Sequence, residues 1–453
     1  MSEITYKENK MGTHKMFPLI MSMAIPSMFS MLVQALYNIV DSYYVAKYSI
    51  DALSAVSLAS PIQNLIIAFS VGTSIGVGSL VSRKLGEKNR EQASSAVNHG
   101  IVLNVITWVI FLIFGLFFTR QFFEMFESNE TIISMGTEYL SIVSACSIGV
   151  FISICFEKVF QSTGNMIYPM IIQLVGALTN IILDPILIFG AFGLPELGIK
   201  GAAIATVSGQ LVSTVVALYL AFRKKSKHAV DISLRGFKFN KLTVKNIYAV
   251  GFPTIIMNAI GTVMMLSLNA ILSGFSAAAY TVFGLYYKVQ SFVFMPVFGL
   301  VNGLMPIFGY NYGAKNKKRI MSCMKIGCLI AIIINTLGML MFLFFPRQLL
   351  SIFSATEEIY EIGIPAFRII CTCFIPAAVS VTLSTLFQAV GKGTYSLTIS
   401  ALRQLILIVP IAYFMSNISL TAVWFALPIA EIGGFIMTII LIIKVYNKQI
   451  KNL

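Results

Sequence analysis

The chain has 453 residues, of which 57% are hydrophobic and only 11% are charged, and its formal net charge is +14. A soluble domain carries about 25% charged residues, so this composition excludes an ordinary soluble protein and a disordered one. The apolar residues form uninterrupted runs of about twenty, which predicts transmembrane helices rather than the alternating strands of a membrane barrel. Six cysteines without a CxxC or HExxH spacing indicate neither a disulfide framework nor a metal-binding motif.

Twelve apolar spans predict an all-α integral membrane protein. They lie near residues 16–40, 52–82, 97–118, 136–160, 167–190, 200–222, 249–273, 279–310, 324–345, 362–388, 396–415 and 421–445. The first span has no small-residue cleavage site after it, so we interpret it as a helix and not as a signal peptide.

The connections between the spans alternate between basic and acidic. Lysine and arginine are concentrated at the two ends, in the 83–90 and 315–325 loops and in a long linker at 223–246, while glutamates cluster in the other connections. The positive-inside rule therefore predicts an inner (plasma) membrane protein with both termini in the cytoplasm. The predicted parts are an N-terminal tail (1–15), an N-terminal lobe of six helices (16–222), the linker (223–246), a C-terminal lobe of six helices (247–445) and a C-terminal tail (446–453).

The two halves of the chain repeat. Adding 227 to a residue number in the first half finds its counterpart, so that Pro26 matches Pro253 and Gly72 matches Gly299. Each half has an even number of predicted helices, so both insert in the same direction and a pseudo-twofold axis runs along the membrane normal, with a cleft between the lobes. This architecture suits alternating access and is not needed by an anchoring protein.

One short motif fits a hydrolase but is better explained by packing. The run from Gly72 through Ser74 to Gly76 matches G-x-S-x-G, and its counterpart keeps Gly299 and Gly303 but has no serine. Glycines four apart allow close helix packing in a membrane. The chain is therefore not predicted to be an enzyme.

Four acids lie inside predicted spans, where a charge is costly and a functional role is the default hypothesis. These acids are Asp41, Glu157, Asp184 and Glu431. The counterparts of Asp41 and Asp184 in the second half are Leu268 and Ile411, so carboxylates at these two positions are confined to the first half.

Asp184 has polar neighbours that predict a binding site. Asn180 precedes it by one helical turn and so shares its face, and Pro185 leaves the carbonyl of Ile181 without its helical donor. Thr206 and Asp41 fall at a similar depth. Two carboxylates, an amide, a hydroxyl and a carbonyl predict a site for a proton, or for Na⁺ held by Asp41, Asn180, Asp184 and Thr206. The alternative is that Asp41 ends a helix in solvent and Asp184 caps one locally.

Other polar residues in the spans are candidates for coupling or substrate binding. They are Glu157, Gln161, Tyr287, Lys288, Arg403 and Glu431. Glu157 and its neighbour Lys158 are equally compatible with interfacial snorkelling. We expect Lys288 to pair with an acid or a carbonyl. The aromatic run around Tyr287 could form a cation-friendly pocket or serve packing alone.

The chain resembles the MATE family of multidrug and toxic compound extrusion antiporters along nearly its whole length. The resemblance rests on Ala24-Ile25-Pro26, on the Arg83–Gly86 loop, on the Gln161–Asn165 turn and on Asn180-x-x-x-Asp184-Pro185. It implies a two-lobed, twelve-helix exporter that exchanges H⁺ or Na⁺ for mostly cationic amphipathic compounds. It also implies that Tyr139 and Thr206 lie near the first-lobe acids and that the first helix is hinged near Pro26.

The first-lobe acids resemble the DinF-like branch of that family, since the NorM-like branch is expected to carry acids in the seventh and tenth helices. Spans 249–273 and 362–388 have none. Gln161 departs from the family pattern, because many relatives have arginine there.

We therefore expect a cation-coupled exporter, monomeric in the lipid bilayer, with small organic cations as substrates, no cofactor other than the coupling ion, and no nucleic-acid partner. Neutralising the first-lobe acids would let the first helix repack. The alternative is a flippase for lipids or lipid-linked precursors, which would need a basic central cavity. An intramembrane enzyme and an ion channel are less favoured, since no nucleophile set or filter repeat is present.

Overall fold

The computed structural model describes residues 9–193, 195–223, 230–235, 237–353 and 355–453. These residues form helices and short connections, with no strand among them, which confirms the predicted all-α class. The long helices are α1 (Met16–Tyr48), α2 (Ile50–Gly86), α3 (Arg90–Phe117), α4 (Glu130–Ala145), α5 (Ile148–Ser162), α6 (Ile167–Phe189), α7 (Gly198–Phe222), α8 (Lys241–Ser273), α9 (Ala277–Gly313), α10 (Lys317–Phe344), α11 (Glu357–Ala389), α12 (Gly393–Ser416) and α13 (Leu420–Ile450).

Within the described residues, eleven of these helices are long and apolar enough to span a membrane by themselves. The helices α4 and α5 meet at a bend of 44° and together form a twelfth span. The predicted number of spans is therefore confirmed. Short helices at Lys10–Thr13, Thr119–Glu124 and Pro346–Ser351 and a 3-10 turn at Ala191–Gly193 lie between them. Helix α11 contains a 3-10 turn at Cys371–Cys373, α12 a π-helical turn at Leu402–Ile408, and α13 ends in a second π-helical turn at Tyr446–Ile450.

The internal repeat is visible in the helix boundaries. Helices α2 and α9, α3 and α10, and the α4–α5 pair and α11 begin and end 227 residues apart. The turns repeat as well, because Gly164 and Gly391 both have left-handed backbones, with φ of 90° and 81°. Glycine adopts this conformation without steric cost, so it suits both turns. The two halves of the chain therefore fold in the same way.

The compact units of the structure do not follow the predicted lobes. One unit, here called the N-terminal unit, spans Phe29–Ile255, and the other, the C-terminal unit, combines Met1–Met28 with Ile256–Leu453. The boundaries thus lie inside α1 and α8, two residues after Pro26 and Pro253, and not at the linker. They differ by the same 227 residues that relate the repeats.

Glycine packing explains why the beginnings of α1 and α8 belong to these units. In the C-terminal unit, a Cβ atom at Gly299 or Gly303 of α9 would collide with the backbone of α1 at Met28 or Ala24. Small residues at a helix interface let two backbones approach closely and gain van der Waals contact.

The N-terminal unit repeats this arrangement. A Cβ atom at Gly72 or Gly76 of α2 would collide with α8, whose Ile247 and Gly251 backbones lie against them. Ser74, between the two glycines, is fully buried. Packing therefore accounts for the motif that resembles a hydrolase signature.

The linker is held against α3 in the N-terminal unit. The backbone N–H of Asp231 donates to Ser94 Oγ at 2.8 Å, and the backbone N–H of Asn240 donates to His99 Nε2 at 2.8 Å. The His99 ring is assigned its proton on Nδ1, because that atom lies 2.7 Å from the carbonyl oxygen of Ser95. Residues 1–8 of the predicted N-terminal tail and residues 224–229 and 236 of the linker lie outside the described residues.

Candidate functional site

A cluster of polar side chains lies inside the N-terminal unit, and we call it the N-terminal polar cluster. Its members come from α1, α2, α4, α6 and α7. They are Tyr37, Asp41, Gln63, Tyr139, Asn180, Asp184 and Thr206. Asp184 is fully buried, and Asn180, Tyr139 and Thr206 are each at most 5% exposed. The structure therefore brings together every residue that the sequence assigned to this site.

Asn180 connects the α6 and α7 sides of the cluster. When its amide is oriented to suit its partners, Nδ2 donates to Asp184 Oδ2 at 3.0 Å and Oδ1 accepts from the backbone N–H of Thr206 at 3.1 Å. The two helices can approach this closely because Gly176 and Gly209 face each other, so that a Cβ atom at Gly209 would meet the Gly176 carbonyl. Asp184 is consequently fixed in position from both helices.

Asp41 and Asp184 are in direct contact. Their carboxyl groups lie within hydrogen-bonding distance of each other. An ionised carboxylate only accepts hydrogen bonds, so this contact requires a proton on one of the two groups. The Oδ1 atom of Asp41 is buried and has no hydrogen-bond partner among the described residues. The pair thus provides a place for a proton, and Asp41 Oδ1 has no hydrogen-bond donor from a described residue.

Two tyrosines and a glutamine complete the cluster. The Tyr139 hydroxyl accepts a hydrogen bond from Gln63 Nε2 at 3.0 Å, and the hydroxyls of Tyr37 and Tyr139 are both in hydrogen-bonding contact with Thr206. The sequence analysis missed Tyr37 and Gln63. Tyr37 could have been found, because it precedes Asp41 by one helical turn and shares its face.

The alternative explanation of the two acids is wrong. Helix α1 continues beyond Asp41 to Tyr48, and α6 continues through Pro185 to Phe189. Neither acid ends a helix or caps one. Pro26 also lies within α1, which continues through it as one helix.

Five residues of the cluster have apolar counterparts in the second repeat. The counterparts of Tyr37, Asp41, Tyr139, Asn180 and Asp184 all belong to the hydrophobic core of the C-terminal unit or pack against it. These counterparts are Met264, Leu268, Ala366, Leu407 and Ile411. One fold position thus holds a polar site in one half and ordinary core packing in the other, as the distribution of acids in the sequence indicated.

The remaining acid–base candidates form separate groups. In the C-terminal unit Arg403 Nη1 lies 3.1 Å from Glu431 Oε1, which makes these two residues an ion pair. Tyr287 interacts electrostatically with both of them. The sequence analysis considered Arg403 and Glu431 separately and did not predict this pairing. Tyr286, next to Tyr287, is only 1% exposed, so this part of the aromatic run serves core packing.

At the end of α5, Glu157 is 5% exposed and accepts a hydrogen bond from Gln173 Nε2 at 2.7 Å. A snorkelling side chain would reach the interface, so that interpretation is wrong for Glu157. Lys158 donates to Gln161 Oε1 at 3.0 Å. Lys288 does not form the expected pair: its side chain is exposed, and no ion pair or hydrogen bond of the described residues includes its ammonium group.

Twelve membrane spans in two repeats, with a buried cluster of polar and acidic side chains in one of them, define a multi-pass membrane transporter. The family model described as MatE matches residues 26–186 and 253–414, one match in each repeat. Since these matches cover more than half of the chain, the protein belongs to the MATE family.

Similar proteins extend over most of the chain. The multidrug export protein MepA of Staphylococcus saprophyticus is 26% identical over 91% of this chain and 90% of its own length. A protein of Shewanella oneidensis described as an FAD transporter is 25% identical over 91% of both chains. A solved structure of a multidrug resistance MATE family transporter in its outward-facing conformation is 25% identical and has a TM-score of 0.91 over 98% of this chain and 100% of its own.

Proposed function

We propose that this protein is a secondary active multidrug exporter of the plasma membrane, which exchanges H⁺, or Na⁺, for cationic amphipathic compounds by alternating access. The relative named as a multidrug export protein supports export as the direction of transport and drugs as the compounds carried. The alternating charge of the connections supports cytoplasmic termini. The first-lobe acids Asp41 and Asp184, together with the absence of acids from spans 249–273 and 362–388, support the DinF-like branch of the family.

The observation that carries the proposal is the contact between Asp41 and Asp184. With one shared proton the pair is a neutral–anionic hydrogen bond that holds α1 against α6. Without that proton, two unit charges about 4 Å apart repel each other by about 4 kcal/mol at an effective dielectric constant of 20. The carboxyl groups must then separate or bind a cation between them.

This repulsion supplies the coupling step. Proton binding brings α1 and α6 together at the cluster, and proton release drives them apart, so the conformation of α1 follows the occupancy of the site. Na⁺ would satisfy the same two carboxylates, with Asn180 and Thr206 as neutral oxygen donors. The buried Asp41 Oδ1 is available to either ion.

The test is transport by the purified protein in liposomes with a fluorescent organic cation. The proposal predicts uptake against a concentration gradient when a pH or Na⁺ gradient of the right direction is imposed, and none without a gradient. Liposomes that hold the Asp41→Asn variant are the matched control. Gradient-independent movement of the cation, or its complete absence with either gradient, would contradict the proposal.

The alternative is export of compounds that carry a phosphate, for which the relative described as an FAD transporter is the supporting observation. A flippase for lipids or lipid-linked precursors is the related possibility. A transporter for either kind of substrate would need a positively charged side chain that binds the phosphate group. The same liposomes loaded with a flavin dinucleotide, or with a fluorescent lipid in one leaflet, distinguish these substrates from organic cations.

A further inference from the structure

The ion pair of the C-terminal unit lies deep within its helices. Arg403 is ten residues from the start of α12 at Gly393, and Glu431 is eleven residues from the start of α13 at Leu420. At about 1.5 Å per residue, each lies about 15 Å along its span, which is half of a hydrocarbon core of about 30 Å. Charged residues at this depth are expensive and call for an explanation.

Structural stabilisation does not explain the pair well. A buried ion pair is often no more stabilising than apolar residues of similar volume, because both charges must be desolvated. The repeat counterpart of Arg403 is Gly176, so the first half of the molecule folds without this charge. The pair is therefore a feature of the second repeat and not of the shared scaffold.

The geometry of the pair leaves most of the guanidinium group unused. Both carboxylate oxygens of Glu431 approach the same nitrogen, Arg403 Nη1, at 3.1 and 3.2 Å. A bidentate arginine–carboxylate pair uses two nitrogens in parallel. Arg403 Nε is buried and has no hydrogen-bond partner among the described residues. The edge formed by Nε and Nη2, which can bind an oxyanion bidentately, therefore has an unpaired donor at Nε.

A second buried polar atom near the pair, the Tyr286 hydroxyl, also lacks a hydrogen-bond partner within the described residues, and Tyr286 interacts electrostatically with Glu431. Buried polar groups are normally paired, so the unpaired Arg403 Nε and Tyr286 hydroxyl indicate a ligand. The side chains of Arg403 and Glu431 are themselves 19% and 13% exposed.

The local backbone fixes the direction of Arg403. The residue lies in the π-helical turn Leu402–Ile408, and such turns are frequent at functional sites. Its aliphatic stem lies over Gly434 of α13, where a Cβ atom would be 3.2 Å from Arg403 Cδ. Contact with glycine on one side and with Glu431 at Nη1 holds the guanidinium group in a defined orientation.

We propose that Arg403 and Glu431 form a binding site for an amphipathic zwitterion. The Nε–Nη2 edge of Arg403 binds a carboxylate or phosphate group of the compound, and its cationic group lies beside Glu431. A receptor of one positive and one negative group accepts a ligand of the same kind without leaving a net charge in the membrane. A lipid headgroup is not its occupant, because headgroups lie at the membrane surface, about 15 Å from this depth.

Because the compounds bound at this site would be those that the protein transports, the inference rests on the proposed export function. The experiment measures equilibrium binding instead of transport, so that the two proposals can fail separately. Purified protein in detergent micelles is titrated with two fluorescent amphipaths that carry the same ammonium group, one ending in a carboxylate and the other in the matching carboxamide. Wild type should bind the carboxylate about tenfold more tightly, as expected for a charge-assisted bidentate contact.

Arg403→Lys keeps the positive charge but removes the guanidinium group that can donate two parallel hydrogen bonds. The preference of this variant for the carboxylate probe should therefore fall below about threefold. Arg347→Lys, at an exposed arginine, is the matched control and should keep the wild-type preference. The double variant Arg403→Gln with Glu431→Gln leaves no lone buried charge, so it provides a folded comparison if Arg403→Lys is unstable, and it should show no preference.

Three outcomes would overturn the proposal. They are equal binding of the two amphipaths by wild type, a full preference retained in Arg403→Lys, and displacement of the carboxylate probe when phosphatidylcholine is titrated into the micelles. Asp184→Asn should retain the preference while losing coupled transport. That result would separate this site from the N-terminal polar cluster.

Discussion

Asp41 of α1 and Asp184 of α6 place their carboxyl groups in hydrogen-bonding contact inside the N-terminal unit. Three other helices contribute to the surroundings of this contact, and the groups around it are neutral: two tyrosines, an asparagine, a threonine and a glutamine. No described cation neutralises the pair, since the salt bridges of the described residues leave both acids out. The charge of the pair must therefore be balanced by an ion from solution.

Asp184→Asn should abolish coupled transport without affecting expression. The amide keeps the shape of the side chain but cannot exchange a proton, and loss of a hydrogen bond to a charged group costs about 1.5–3 kcal/mol, or roughly tenfold or more in an equilibrium. Asp41→Asn should have the same effect. Transport in liposomes under an imposed gradient, at matched protein content, measures both variants.

The repeat provides the control for these substitutions. Leu268→Met and Ile411→Leu change the counterparts of the two acids in the C-terminal unit, where they are part of ordinary apolar packing. Swaps that conserve volume in a core cost less than about 1.5 kcal/mol, so transport by these variants should stay near wild type. Near-normal transport by both Asn variants would refute the assignment of the coupling site.

The sequence predicted this cluster well because its signal is local and chemical. Acids in apolar spans are rare, and the repeat showed that the second half has apolar residues, Leu268 and Ile411, at the positions of Asp41 and Asp184. Tyr37 was missed because an aromatic residue in a membrane helix is ordinary, and Gln63 was missed because its counterpart is also a glutamine, Gln290, which indicates scaffold.

The unit boundaries and the Arg403–Glu431 pair were harder to predict. The charge of the linker predicts where the two repeats divide and on which side of the membrane the linker lies. The boundaries of the compact units depend instead on which helix backbones pack against Gly72 and Gly299. That fit is not encoded in charge or hydropathy. The pairing of Arg403 with Glu431 depends on the rotation of α12 and α13, which a π-helical turn alters locally.

Tyr139→Phe should weaken coupling without abolishing it. The substitution removes the hydroxyl that accepts from Gln63 and contacts Thr206, but it leaves both carboxyl groups in place. Loss of one neutral hydrogen bond costs about 1 kcal/mol, which corresponds to roughly fivefold in ion affinity. The concentration of coupling ion that gives half-maximal transport measures this change. An unchanged half-maximal concentration would remove Tyr139 from the site.

The proposed topology predicts which loops face the cytoplasm. A cysteine in place of the exposed Lys238 in the linker should resist an impermeant thiol reagent in intact cells and react after the cells are opened. A cysteine in place of the exposed Ser128, which precedes α4, should react in intact cells. Wild-type protein is labelled in parallel as the control, because its native cysteines could also react with the thiol reagent. The reverse labelling pattern would invert the orientation.

His99→Phe should destabilise the protein through the linker. The phenyl ring keeps the contacts with Phe237 and Phe239 but removes the acceptor for the Asn240 N–H, at the start of α8. Asn240 is exposed, so its N–H can bond water instead, and loss of this hydrogen bond costs about 0.5–1.5 kcal/mol. Thermal unfolding followed by size-exclusion chromatography should show a lower midpoint than that of wild type, whereas His14→Phe, at an exposed histidine, should leave it unchanged. Equal midpoints for His99→Phe and wild type would mean that this hydrogen bond does not hold the linker.

The coupling ion should be H⁺. A proton needs one carboxyl group beside a second acid, which the contact between Asp41 and Asp184 provides, whereas Na⁺ needs several oxygen donors at once. Asn180 Oδ1 already accepts from the Thr206 backbone, so one neutral donor for a metal ion is engaged. An imposed pH gradient should therefore drive cation export in Na⁺-free liposomes, and an uncoupler should abolish it. If transport instead follows a Na⁺ gradient and ignores the pH gradient, the proton assignment is wrong. Asp41→Asn and Asp184→Asn would still eliminate transport in that case, because either ion depends on the same two carboxyl groups.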